Sequence, residues 1–180
     1  MGMYLYNLCR LDRVRQIIAI DIDADVIELL RRATDFASWP GREKIRFVHA
    51  DARKAPAEQI GPEPVDHLYV DIWPDLGTAE AVVATRQIQS NVHATQVGYW
   101  GQEIDFGHWH SARKGTRRPN ALDGAAFARH CRLPLGQLPQ SYLEAACVAR
   151  NLFVAKAKED AIAPQSSSPS IAPRQRFRTV

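Results

Sequence analysis

Three observations predict an α/β fold with a parallel sheet. Four short apolar runs lie within the first 105 residues. Segments with helical spacing of apolar residues separate them. Three consecutive runs lead into aspartates, at Asp21, Asp51 and Asp71. Short, nearly continuous apolar runs are what strands buried on both faces look like. Alternation with helices implies right-handed βαβ units.

The elements follow in order. Met3, Leu5, Tyr6, Leu8 and Cys9 give the opening segment an apolar side, as in a helix. Gln16-Ile-Ile-Ala-Ile-Asp reads as the first strand. Asp23 then stands in a capping position. Val26, Ile27, Leu29, Leu30, Ala33 and Ala37 recur at helical spacing, with Arg31 and Arg32 on the polar face. Pro40-Gly41 is expected to end that helix. Lys44-Ile-Arg-Phe-Val-His-Ala is the second strand. Residues 52–59 read as a weak helix broken by Pro56. His67-Leu-Tyr-Val-Asp-Ile-Trp is the third strand and 78–92 a long helix. Val97-Gly-Tyr-Trp-Gly-Gln-Glu-Ile is expected to be the fourth strand. Its two glycines point to close backbone approach. Helices follow over 123–131 and from Pro139 onward, the latter with Tyr142, Ala145, Ala146, Ala149, Leu152 and Phe153 on one side.

Composition narrows the class. At 180 residues, 46% hydrophobic and 24% charged, the chain reads as one globular domain. The three cysteines are far apart and odd in number, so a reducing compartment and a cytoplasmic location are expected. No apolar run approaches the roughly 18–20 residues that span a bilayer. The net charge of +3 has two local sources: residues 165–180 contribute +3 and residues 107–120 contribute +4, leaving −4 elsewhere. A broad basic face is therefore not predicted, and a small molecule rather than nucleic acid or membrane is the expected partner. A homodimer is compatible with the sequence. The stretch 107–120 reads as a solvated loop. The tail 160–180 is rich in Ser, Pro and Arg and reads as disordered, leaving 1–159 to fold.

The strand ends carry the chemistry, because ligands bind outside the carboxyl ends of parallel strands. Each acid alone reads more readily as a plain helix cap. Together they describe more. Asp21, just after a strand, is placed to accept both hydroxyls of a ribose. One βα unit later, Asp51 is placed to accept an exocyclic adenine amine, with the N–H of Ala52 available to the ring.

Ile17-Ile-Ala-Ile-Asp-Ile-Asp, then Phe47-Val-His-Ala-Asp-Ala, then Tyr69-Val-Asp-Ile-Trp-Pro-Asp resembles class I S-adenosylmethionine-dependent methyltransferases. The Val-Asp-Ile form of the third element leans toward the spermidine-synthase-like branch. The resemblance covers roughly residues 1–105. It implies a Rossmann-like sheet, S-adenosylmethionine as cofactor, Asp21 on the ribose and Asp51 with Ala52 on the adenine. It also implies a catalytic role for Asp71, near the transferred group or orienting an amine nucleophile. Trp73 and Asp75, in the turn after Asp71, are the implied substrate residues, and Glu103, near the end of the fourth run, is placed to face the same cleft. No metal site is expected.

The family pattern needs a first strand and a Gly-x-Gly-x-Gly loop, and no Gly-x-Gly occurs in this chain. Gly2 resembles the last glycine of that loop, running into its helix. The expectation is a fold that starts within this motif, lacking the first strand and most of the loop. A methyltransferase acting on a small molecule is the leading reading. Alternatives are a spermidine-synthase-type aminopropyltransferase and a non-catalytic remnant or binding module of the same fold.

Overall fold

The computed structural model describes residues 2–33, 35–55, 57–61, 63–72, 80–113 and 121–162. It is a mixed α/β structure. Helix α1 (Gly2–Cys9) precedes strand β1 (Ile17–Asp21), helix α2 (Ala24–Ala33) and strand β2 (Ile45–His49). The short α3 (Ala57–Ile60) leads to β3 (His67–Val70), α4 (Glu80–Val92) and β4 (Gln96–Tyr99). Helices α5 (Gln102–Ala112), α6 (Gly124–Cys131) and α7 (Gln140–Ile162) follow.

The four strands expected in one sheet form two. β1 pairs with β2, Ile17 opposite Ile45 and Asp21 opposite His49. β3 pairs with β4, His67 opposite Gln96 and Val70 opposite Tyr99. Both pairs are parallel. Nothing among the described residues hydrogen-bonds β1 to β3, so the single sheet is replaced by two ribbons.

Two cores accompany the two ribbons. Leu5 and Cys9 of α1 pack with Ile17, Ala19, Leu30 and Trp39. The larger core joins Val70, Val97 and Tyr99 to Phe106, Phe127 and Leu143. Phe106 and Phe127 meet edge to face, with centroids 5.3 Å apart. Each fully buried side chain of this size contributes roughly 1.5–3 kcal/mol.

Local chemistry explains the boundaries. The Lys44 ammonium donates to the carbonyls of Cys9 at 3.1 Å and Leu11 at 3.0 Å, satisfying the C-terminal end of α1. Gly41 permits that approach: its φ is +77°, and a Cβ there would collide with the Cys9 carbonyl. Helix α2 stops at Ala33, short of the expected Ala37, and Phe36–Ser38 form a separate 3₁₀ turn. Phe36 turns instead onto Trp39 and Phe47. The Asp123 carboxylate accepts the Ala126 N–H at 2.8 Å and caps α6.

The fourth strand is shorter than expected. It ends at Tyr99, and Gln102 to Ala112 is helix, not strand followed by solvated loop. Gly101, at φ +86°, makes the reversal. The expected basic loop 107–120 is thus helical over its first six residues; residues 114–120 lie outside the described ones. α5 is held by tertiary packing. Gly107 lets it approach α7 so closely that a Cβ would collide with the Arg150 side chain. Helix α7 runs to Ile162, past the expected boundary at 159. The rest of the expected tail lies outside the described residues.

Candidate functional site

The carboxyl ends of β1 and β2 bring Asp21 and Asp51 together. The Ala50 N–H donates to the Asp21 carbonyl at 2.9 Å, so the second strand hands over to Asp51 one residue beyond that bond. The Asp21 carboxylate accepts the Asp23 N–H at 2.9 Å, and Asp23 accepts the Asp25 N–H at 2.8 Å. These are local turns that lead into α2. They use one oxygen of Asp21. His49 Nε2 is 3.0 Å from the Ile22 carbonyl and closes the same corner.

Asp51 is more fully engaged. Its Oδ1 accepts the Arg53 N–H at 3.0 Å and Arg53 Nε at 3.0 Å, and its Oδ2 meets Arg53 Nη2 at 3.3 Å. Lys54 Nζ stands 3.7 Å from Oδ2. The Arg53 side-chain hydrogen bond holds the Asp51 carboxyl below its usual range. The Arg53 guanidinium on that carboxylate is exposed. Ala52 is half-buried and packs on the larger core. Gly2 opens α1 as a helical residue, and a Cβ there would press on the Leu30 side chain.

A second cluster lies beyond β3 and β4. Asp71 follows β3 directly, and Glu103 stands in the first turn of α5. Burial, Asp71, Glu103 and Tyr4 together push the Tyr69 phenol up to about 12. Burial, Glu103 and Tyr69 push Tyr142 up to about 12 as well, against the opposing Gln102 hydrogen bond. Gln102 is buried; its amide nitrogen donates to the Tyr142 hydroxyl at 3.3 Å. Its carbonyl oxygen has no partner among the described residues. Two carboxylates, two phenols and a buried amide therefore share one neighbourhood. This is a setting for a cation or a hydrogen-bond donor.

The structure thus collects the expected residues into two groups, Asp21 with Asp51 and Ala52, and Asp71 with Glu103. Trp73 and Asp75 lie outside the described residues. Tyr69, Gln102 and Tyr142 were not singled out from sequence. Tyr69 is two residues before Asp71 and shares its side of the strand by the period-2 rule, which is the available signal. Asp105, by contrast, is a structural partner: the Tyr99 hydroxyl donates to its Oδ2 at 3.0 Å. Burial pushes the adjacent Cys131 thiol up to about 11, which keeps it protonated and unreactive.

Two surface concavities lie elsewhere. One of about 370 Å³ is lined by Tyr4, Asn7, Leu8, Arg10 and Leu11. Another of about 310 Å³ is lined by residues including Ile60, Val65 and His93. Among the described residues, no helix is long and apolar enough to cross a membrane. No family model, curated protein or solved structure matches this chain.

Proposed function

We propose that this chain carries a Rossmann-like, class I S-adenosylmethionine-dependent methyltransferase domain that modifies a small molecule in the cytoplasm. One observation carries the reading: Asp21 and Asp51 close neighbouring parallel strands at the same edge. Ligands of parallel sheets bind at that edge. Asp21 would hold the ribose, keeping one carboxylate oxygen beyond its turn. Asp51 and the Ala52 N–H would hold the adenine once Arg53 swings off, and Gly2 would border the methionine part. When bound, S-adenosylmethionine supplies an electrophilic methyl group on a sulfonium. Asp71 would orient the acceptor or take up its proton, with Glu103 and, by the resemblance, Trp73 and Asp75 as the substrate residues.

Aminopropyl transfer of the spermidine-synthase type is the second reading. The pairing of Asp71 and Glu103 about Tyr69 favours it, because two carboxylates beside a phenol suit a cationic amine.

Calorimetry tests both readings. S-adenosylhomocysteine, S-adenosylmethionine and its decarboxylated form are titrated into this chain and into one extended ahead of Gly2 by a glycine-bearing strand. Preference for the first two supports methyl transfer. Preference for the decarboxylated form replaces it with aminopropyl transfer. Binding of none to either protein overturns both and leaves a non-catalytic module of this fold.

A further inference from the structure

We propose that the outer face of α7 is a dimer seam, on which the α7 helix of a second copy of this chain packs antiparallel. Helix α7 has 23 residues, and α5, the helix it packs against, has 11. The inner face of α7 is accounted for: Leu143 and Ala146 are buried, and Gly107 of α5 sits against Arg150. The opposite face is also apolar, yet it is exposed. Val148 is 59% exposed and Leu152 67%. Ser141, Ala145 and Ala155 are exposed on the same side. From Ala155 to Glu159 every side chain is exposed, so this stretch of helix has no buried face among the described residues. Helices in proteins draw most of their stability from packing, and a helix that is apolar on two sides is one that is covered on two sides.

Single exposed apolar residues are ordinary on a protein surface. Spacing makes these a seam. Ser141, Ala145, Val148, Leu152, Ala155 and Glu159 follow one another in steps of 4, 3, 4, 3 and 4. That is the 3.5-residue repeat by which two helices stay in contact along their length. At 1.5 Å per residue the seam runs for about 27 Å. In an antiparallel pair centred at position 150, Val148 meets Leu152 of the second copy and Ala145 meets its Ala155. Ser141 and Glu159 close the ends with polar groups. The alanine layers let the helix axes approach to about 8 Å. Such a contact is isologous: every pair occurs twice about one two-fold axis, and the dimer closes.

Charge selects the partner and its direction. Glu144 and Lys158 lie on the same flank of the seam, two heptads apart. Antiparallel packing sets Glu144 of each copy beside Lys158 of the other, with Asn151 of both copies at the axis. Within its own chain Glu144 accepts the Gln140 side-chain amide at 3.3 Å. Among the described residues, neither Glu144 nor Lys158 has an ion pair. A parallel pair would set Glu144 beside Ala149 of the second copy, with no ion pair to gain. Charges flanking a helical seam fix partner choice and orientation in this way. The face is therefore complementary to itself when reversed. It uses none of the residues at the strand ends.

Sedimentation equilibrium of the whole chain tests this, from about 10 µM to about 1 mM, because a seam this short gives a weak dimer. The mass should rise from one chain to two across that range. Leu152→Glu should raise the dissociation constant by about 100-fold, since it places two unpaired carboxylates in the seam. Leu152 is exposed in the single chain, so the urea midpoint of this variant at the low end of the range should match the parent's. Glu144→Lys should weaken the dimer by about 10-fold, and Glu144→Lys combined with Lys158→Glu should restore the parent value. High salt should shrink the difference between those two variants. A single-chain mass at every concentration overturns the proposal and leaves the face to another segment of this chain or to a different protein. A dimer that survives Leu152→Glu overturns it too, because the contact then lies elsewhere. A dimer lost in Leu152→Glu but indifferent to both charge variants overturns the antiparallel arrangement.

Discussion

Tyr4 of α1 lies stacked on Tyr69 of β3, with ring centroids 4.6 Å apart and planes inclined by 29°. This contact joins the ribbon of β1 and β2 to the ribbon of β3 and β4. An aromatic pair contributes about 0.5–1.5 kcal/mol beyond its buried area. A double-mutant cycle with Tyr4→Ala and Tyr69→Ala, read by urea unfolding, should give a coupling energy of about that size. Additive losses would mean that the rings do not support each other.

The phenols also set an alkaline limit. Tyr69 and Tyr142 are each raised from 10.0 to about 12. A raised acid keeps its proton in the folded state while the unfolded chain has begun to lose it. Their contribution is therefore complete below pH 10 and declines as pH rises from 10 through 12. Tyr69→Phe should shift the alkaline unfolding midpoint upward. Asp71→Asn should lower the Tyr69 midpoint in a spectrophotometric titration, because it removes a neighbouring negative charge. A Tyr69 midpoint near 10 in the parent chain contradicts this account.

Beside the larger core, the Tyr99 hydroxyl donates to Asp105 at 3.0 Å. Tyr99→Phe removes the donor and leaves a partly buried carboxylate without that bond, a loss of about 1–3 kcal/mol in chemical denaturation. Burial raises Asp105 above its ordinary 3.8. Its contribution is present below the unfolded value and is lost as pH rises through the folded one. Stability should therefore fall with rising pH just above the ordinary carboxylate range, and Asp105→Asn should flatten that fall. A stability curve that Asp105→Asn leaves unchanged there is the contrary result.

Particular residues show how far the sequence could be read. The runs at Ile17–Asp21 and Ile45–His49 declared themselves because they are short, apolar and bounded by turn residues. Helix α6 declared itself as the run 123–131. Gln102–Ala112 did not. Its glycine, tryptophan and histidines give no clear helical stripe, and its helix depends on Phe106 meeting Phe127 and on Gly107 meeting α7. Those contacts are long-range, and no local pattern encodes them. Pairing was the other gap. Four strand-like runs in alternation imply one sheet, but strand composition does not say which edges meet. At the candidate site, aspartates at strand ends were legible because position follows from the run before them. The grip of Arg53 on Asp51 was not, since a salt bridge depends on the turn at 51–54.

That grip makes the last prediction. The Arg53 guanidinium competes with an adenine amine for Asp51, because it meets both carboxylate oxygens at 3.0 and 3.3 Å. Arg53→Ala should therefore tighten S-adenosylhomocysteine binding, while Asp51→Ala should weaken it. A hydrogen bond to a charged group contributes about 1.5–3 kcal/mol, so Asp51→Ala should cost roughly 10- to 100-fold in calorimetry. Asp21→Ala should cost a similar factor through the ribose. Because Arg53 holds the Asp51 carboxyl below its usual 3.8, the acceptor stays ionised down to that pH in the free protein, and Arg53→Ala should move the acid limit of binding upward. Equal affinity across the parent chain, Asp51→Ala and Arg53→Ala would remove Asp51 from the ligand site and leave it as the cap of the turn at 51–54.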